Sequence, residues 1–230
     1  DKPKTFLLSF DGDIKASAVS SLRDEITAIL GVAEKNDRVL LKLESAGGTL
    51  HGYGLAASQL ERIKDGKLKL IVLVDKIAAS GGYLMACVAD EIIAAPFAIV
   101  GSIGVVAQIP NFNRLLKNND VDFELLTAGK HKRSLTMFGE NTEQGREKFQ
   151  EDLDVAHEIF KRYVSKNRKN LDIEKVATGE YWQATNAIEI GLIDRLATSD
   201  DVILENAKNS EVLEISTKEK KSLISKLFSL

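Results

Sequence analysis

The segment LKLIVLVDKIAASGGYLMACVADEIIAAP (68–96) decides the fold. Its first seven residues are almost all apolar and branched, the pattern of a strong strand. Ala79-Ser80-Gly81-Gly82 then breaks the strand, and a small-residue helix is predicted from Tyr83 to Ala89. Glu91–Ala95, apolar from Ile92 on, reads as the next short strand. The same alternation continues upstream. Thr5–Phe10 is a strand closed by Asp11-Gly12-Asp13. Ser17 is placed to cap a helix carrying Val19, Leu22, Ile26, Ile29 and Leu30 on one face. Arg38–Glu44 is a strand ending in Ala46-Gly47-Gly48, followed by a helix over Gly52–Lys64 with Leu55, Leu60 and Ile63 inward. Downstream, the pattern predicts a short strand over Ile99–Val106, a short helix over Asn111–Asn118 and a half-buried strand over Val121–Leu125. Thr127–Gly139 is polar and irregular. Thr142 is set to cap a long helix reaching Asn167, with Phe149, Leu153, Ala156, Phe160 and Val164 on one stripe. Short helices near Ile173–Val176 and Asn186–Glu189, a helix-ending Gly191 and a strand over Leu192–Leu196 complete the pattern. Strand and helix in alternation mean an α/β fold. The simplest division is one domain over 1–200 and a C-terminal extension over 201–230, whose end, Lys218–Leu230, is basic and amphipathic.

Composition narrows the function. The chain has 230 residues, 44% of them apolar, which is too apolar for a disordered chain and long enough to bury a core without disulfides or metal. Its single cysteine, Cys87, can neither form an internal disulfide nor build a metal cluster. With 31 basic and 34 acidic residues, the net charge of −3 gives no overall attraction to nucleic acid. The longest uncharged run, Ile92–Asn113, is interrupted by Pro96, Gly101, Ser102, Gly104, Gln108 and Pro110, so it reads as buried strands and loop rather than a membrane span. The chain starts at Asp1 without a methionine, which suggests a processed or excised piece whose anchor, if any, lies elsewhere.

Three features carry chemistry. Gly47-Gly48 follows a strand, where glycines let backbone N–H groups face a cleft; an ordinary tight turn is the plainer reading. Ser80 sits among small residues at a strand-to-helix elbow with the Gly81 N–H beside it. That suits a nucleophile with an adjacent oxyanion donor; a helix N-cap is the commoner role. Lys130-His131-Lys132-Arg133 is a basic loop, plainly read as solvated surface or an anion site. A base for Ser80 must come from His51, His131, His157 or a lysine. His51, directly after the glycine turn, and His157, in mid-helix, are poorly placed. A lysine amine acts as base only when burial lowers its pKa from about 10.4 towards neutrality. The residues by themselves leave His131 and Lys132 both open.

Taken together, ESAGGTLHGYG (44–54), DKIAASGGYLMACVADEIIAAP (75–96), VGSIGVV (100–106), TAGKHKRSLT (127–136) and YWQATNAIEIGLID (181–194) resemble the signal peptide peptidase A family of serine proteases, in order and over nearly the whole chain. The resemblance implies a Ser–Lys dyad with Ser80 as nucleophile and Lys132 as base. Ser102 then corresponds to the hydroxyl that aims the lysine, and the Gly48 and Gly81 amides to the oxyanion hole. The family's Ser-Pro-Gly-Gly reads Ser45-Ala46-Gly47-Gly48 here, which keeps the donors and removes a fixed φ. Tyr83, Leu84 and Met85 are expected as substrate-pocket walls, though each also fits core packing.

The resemblance further implies a ClpP/crotonase-type spiral of ββα units with a C-terminal helical extension, and chemistry that needs no metal or cofactor. It implies a homo-oligomer with active sites at subunit contacts, and tethering to the bacterial inner membrane by an N-terminal helix that would precede Asp1, with the catalytic domain periplasmic. The expected substrates are signal peptides or other extended apolar peptides, bound as an added strand. Three rivals stand beside this reading. A crotonase-like acyl-coenzyme A enzyme would share the fold but use carboxylates in place of the Ser80/Lys132 pair. A non-catalytic scaffold would turn over no peptide. A membrane- or partner-binding module would rest on the 218–230 tail.

Overall fold

The structure is a computed structural model that describes residues 2–217; the 218–230 tail lies outside the described residues. The chain runs β1 (Lys4–Gly12), α1 (Val19–Val32), β2 (Arg38–Ser45), α2 (Leu50–Asp65), β3 (Lys69–Val74), β4 (Ile77–Ala79), α3 (Gly81–Ala86), β5 (Glu91–Ala94) and β6 (Ile99–Gly101). It continues through α4 (Asn113–Lys117), α5 (Glu143–Asn167), α6 (Ile173–Val176), β7 (Tyr181–Gln183), α7 (Ala184–Ala187), β8 (Arg195–Leu196), α8 (Ser199–Ala207) and β9 (Glu211–Glu214).

The strands join one nine-stranded sheet that branches at the end of β2. The long run is parallel, in the order β9-β1-β2-β3-β5-β8. At Ser45, β2 also pairs with Ala78 of β4, which leads to β6 and the antiparallel β7. Two turns of the chain, β3-β4-α3 and β5-β6-α4, thus send a long strand into the main run and a short one into the branch, and then a helix, while β1 and β2 each lead directly into a helix. This is the expected α/β spiral of ββα units. The branch is what brings Ser45, Ser80 and Ser102, each at a strand end, to one place.

Burial explains the layers. On β2, Val39, Leu41 and Leu43 face the main core with α1, α2 and α3, while Leu40 joins Ile71, Leu73, Ile93 and Val202 on the opposite face under α8. Each fully buried aliphatic or aromatic side chain contributes about 1.5–3 kcal/mol. All six residues of α3 are buried, and its glycines allow close approach: a Cβ on Gly82 would lie 2.6 Å from the Ser45 carbonyl oxygen.

Several local expectations change. No side chain caps α1; instead Asp13 Oδ1 accepts the Ser17 N–H at 2.8 Å. On α2 the buried face is Tyr53, Ala56, Ala57, Leu60 and Ile63, whereas Leu55 points to solvent. The strand after Pro96 stops at Gly101, because Gly101 and Ser102 both take positive φ (95° and 53°). Val121–Leu125 forms no strand: the alternation is real, but no neighbouring strand pairs with it and all five residues are exposed. Thr142 caps α5 as expected, accepting the Gly145 N–H at 3.1 Å. Strand β9 has too short a pattern to stand out alone; it pairs with β1, and Thr217 beyond it bonds Glu25 of α1.

Cys87 is fully buried, and its Sγ lies 3.2 Å from the Leu84 carbonyl oxygen. Burial pushes its thiol pKa up. A thiol reagent is therefore expected to leave the native protein unmodified and to label one cysteine per chain once denaturant is added; rapid native labelling would contradict this packing.

Candidate active site

β4 ends at Ala79, and Ser80 follows with φ 51° and ψ −118°, a conformation disfavoured for any residue with a Cβ. Holding it costs about 1–3 kcal/mol, offset by its surroundings. The Ser80 N–H donates to the Gly101 carbonyl at 2.8 Å and its carbonyl accepts from Leu84 in α3 at 2.9 Å. The backbone is thus pinned on both sides, while the hydroxyl caps nothing. A half-buried serine at a strained strand-to-helix elbow matches the expectation from the sequence.

Three other segments meet Ser80 around a cleft of about 770 Å3. The first is the turn Ala46-Gly47-Gly48. Gly47 has φ 91°, and a Cβ there would come within 2.8 Å of Ser80 Cβ and 2.7 Å of the Gly81 nitrogen, so only glycine lets the turn sit against the elbow. At Gly48 a Cβ would overlap the backbone of Ile14, whose carbonyl accepts the Thr49 N–H. Among the described residues, neither the Gly48 nor the Gly81 amide has a hydrogen-bond acceptor. The second segment is Ser102 with Gly104–Ala107. The Ser102 N–H donates to the Glu180 carbonyl at 2.6 Å, and Gly101 beside it packs under Trp182. The third is the wall of α5: Gln150, Leu153, Asp154 and His157, with Thr178 and Gly179 beside them.

The structure therefore gathers Ser80, Ser102 and Gly48 at one cleft, with Gly81 the residue after Ser80. Lys132 does not line that cleft. It lies exposed, with Lys130, His131 and Arg133, on an arm spanning residues 108–141. The arm is stitched mainly to itself, through Phe112 N–H to Met137 O at 2.7 Å, Asn111 to Thr136 and Gly139, and the stacked Phe112 and Phe138 rings 6.0 Å apart. Tyr83, Leu84 and Met85 lie buried in the core and do not line the cleft; Tyr83 Oη donates to the Leu192 carbonyl at 2.8 Å. Among the described residues no three His, Cys, Asp or Glu side chains cluster to hold a metal.

One residue set aside in the sequence reading nevertheless lines the cleft. His157 belongs to the wall, and its Nε2 lies 3.3 Å from the Ile103 carbonyl oxygen. The signal was available: His157 shares the helical stripe of Leu153 and Gln150 that faces the cleft.

Comparisons with known proteins show what the whole chain is similar to. The chain is 57% identical over 225 residues to the "Probable protease SohB" of Haemophilus influenzae, covering 98% of this chain and 64% of that protein. It is 57% identical over 215 residues to the protein of the same name from Buchnera aphidicola subsp. Acyrthosiphon pisum, covering 94% and 64%. It thus spans somewhat less than two thirds of these relatives. Among solved structures, a lysine-to-alanine mutant of the 1510-N membrane-bound stomatin-specific protease, in complex with a substrate peptide, superposes with a TM-score of 0.60 at 16% identity, covering 100% of this chain and 99% of that one; this likeness supports the fold. The model described as "Peptidase family S49" matches residues 62–213, and "Peptidase family S49 N-terminal" matches residues 1–60. Matches that run from residue 1 to residue 213, and proteases more than half identical along nearly the full chain, mean that it belongs to peptidase family S49, a family of serine peptidases.

Proposed function

We propose that this chain is the peptidase domain of a Ser–Lys endopeptidase whose site is completed by a second copy. The observation that carries the reading is the division of the residues. Ser80, Ser102 and the Gly47–Gly48 turn share a cleft, while Lys132 stands exposed on an arm outside it. That arm also exposes Phe112, Leu115, Phe123, Leu126 and Phe138, an apolar surface suited to another subunit. In the proposed site Lys132 of one subunit reaches Ser80 of its neighbour, and Ser102 orients the amine.

The chemistry follows. Ser80 Oγ attacks a peptide carbonyl as neutral Lys132 takes its proton. The Gly48 and Gly81 amides hold the oxyanion, each such donor being worth about 3–4 kcal/mol where measured. The tetrahedral intermediate collapses, the C–N bond breaks, and Lys132 returns the proton to the leaving amine. Water then attacks the acyl-enzyme, with the amine as base, and frees Ser80. The substrates proposed are signal peptides or other extended apolar peptides. The peptidase domain is proposed over 1–200, with 201–230 a C-terminal extension that packs on it, β9 beside β1 and Val202 against Leu40 and Ile71. The enzyme is proposed to act at the bacterial inner membrane with this domain on the periplasmic side, held by a segment outside this chain; the solved relative is named membrane-bound. Among the described residues no helix is long and apolar enough to span a membrane.

A fluorophosphonate probe is expected to label the wild type at Ser80 and to leave Ser80→Ala unlabelled; equal labelling of the two removes Ser80 as nucleophile. One observation favours a second reading. His157, with Asp154 one turn earlier, lines the same cleft as Ser80, the arrangement of a histidine base. If Lys132 is the base, His157→Gln retains peptide hydrolysis within about threefold of wild type, whereas removal of a true base costs about a hundredfold or more. A collapse of the rate in His157→Gln with Lys132→Ala still active would transfer the role to His157.

A further inference from the structure

β2 ends on Ser45, whose side chain is shut in the core beside a fully buried Tyr53. Their hydroxyl oxygens are 2.5 Å apart. Tyr53 Oη donates to the Asp13 carbonyl at 2.7 Å, and the Gly47 N–H donates to Ser45 Oγ at 3.0 Å. Tyrosine has one hydroxyl proton. With that proton on the Asp13 carbonyl, Ser45 donates to Tyr53 at 2.5 Å rather than to the Gly12 carbonyl at 3.5 Å, and its own lone pair then receives Gly47. The groups form one directed chain from Gly47 N–H through the Ser45 and Tyr53 hydroxyls to the Asp13 carbonyl. Bonds ordered in this way reinforce one another in a low-dielectric core. Burial raises the phenol pKa and keeps its proton in place.

The same side chain has a second contact. Tyr53 stands on the first turn of α2, edge-on to Phe10 with ring centroids 6.3 Å apart. Gly81 rests on its ring: a Cβ on Gly81 would overlap Tyr53 Cγ and lie 2.6 Å from Cδ2. One residue thus touches both segments that carry the Gly48 and Gly81 amides. Two such donors stabilise an oxyanion only when both converge to about 2.7–3.1 Å from it. At position 46, where the resembling motif has proline, this chain has alanine and therefore no ring to stiffen the turn.

We propose that Tyr53 is a positioning residue for the oxyanion hole: through Ser45 and Gly47 on one side and Gly81 on the other, it holds the two amides at a fixed separation. The inference rests on the Ser80 acyl-enzyme reading, so its test carries a readout that does not need turnover. Tyr53→Phe keeps the ring and removes the hydroxyl. Its kcat on an apolar fluorogenic peptide is expected to fall about tenfold with KM unchanged, because the lost interaction belongs to the transition state. Amide hydrogen exchange in a peptide covering residues 44–50 is expected to rise about tenfold as the turn loosens.

Adding Ala46→Pro to Tyr53→Phe is expected to restore both. Ser45 is a strand residue, which suits the position before proline, and the Ala46 N–H has no acceptor among the described residues. A merely structural tyrosine would lower the melting temperature without separating kcat from KM and without rescue by proline. Unchanged exchange in Tyr53→Phe, or a kcat loss that proline does not reverse, overturns the proposal. If Ser80→Ala hydrolyses the peptide as fast as wild type, the nucleophile assignment fails by itself, and the exchange data alone decide whether Tyr53 holds the turn.

Discussion

Ser80→Ala and Lys132→Ala are each expected to lower hydrolysis of an apolar fluorogenic peptide by about a thousandfold or more, since nucleophile and base act as a unit. The two losses have different structural meanings. Ser80 is half-buried in a strained elbow, and alanine fits that backbone no worse than serine, so its melting temperature should stay within a few degrees of wild type. Lys132 is exposed on the arm; its backbone N–H donates to the Gly129 carbonyl at 3.1 Å, while its side chain makes no hydrogen bond or ion pair among the described residues. Its replacement should leave the isolated fold unchanged. A large loss of stability in either variant would mean that the residue holds the fold rather than the chemistry, and residual activity above a tenth of wild type would remove it from the dyad.

The second large effect is expected at Gly47. A methyl group there would enter a space bounded by the Gly81 nitrogen, the Ala79 carbonyl oxygen and Ser80 Cβ, all within 2.8 Å, at a φ of 91°. None of these is the end of a flexible side chain, so the turn must move away from the elbow. Gly47→Ala should destabilise the protein by about 2–4 kcal/mol, combining backbone strain with overpacking. It should also cost about a hundredfold or more in kcat, the scale seen when an oxyanion donor is misplaced. Gly54 supplies the control. It lies inside α2 with open space around its Cα, so Gly54→Ala should stabilise by about 0.5–1 kcal/mol and leave kcat unchanged. Denaturant unfolding and steady-state kinetics on the two variants check both numbers. Equal behaviour of the two would contradict the packing of the turn on the nucleophile.

Much of this was legible in sequence because strong local signals and tertiary structure agree. LKLIVLV, the Ala-Ser-Gly-Gly elbow, the Gly47-Gly48 turn and the Thr142 cap each hold their position from a few residues of pattern. What was not legible depends on partners distant in the chain. Leu55 looked inward by spacing, yet Tyr53 takes the inner face because Ser45 and Gly81 close around it. Val121, Phe123 and Leu125 alternate like a strand, but a strand exists only beside another, and here the arm meets none. β9 is set by its register with Lys4–Leu7, some two hundred residues earlier, rather than by its own composition. That His157 lines the cleft was not legible for a related reason: it depends on which cleft α5 borders, and the branch of the sheet at Ser45 decides that.

The division of the site between copies is the centre of the proposal, and mixing the two inactive variants tests it directly. Ser80→Ala still offers Lys132, and Lys132→Ala still offers Ser80. If subunits are unfolded and refolded together, random mixing at equal amounts pairs an intact serine with an intact neighbouring lysine at about one site in four. Hydrolysis of the fluorogenic peptide should then return to about a quarter of the wild-type rate. A co-refolded mixture that assembles like wild type, contains both chains and remains as inactive as either variant alone would contradict a shared site.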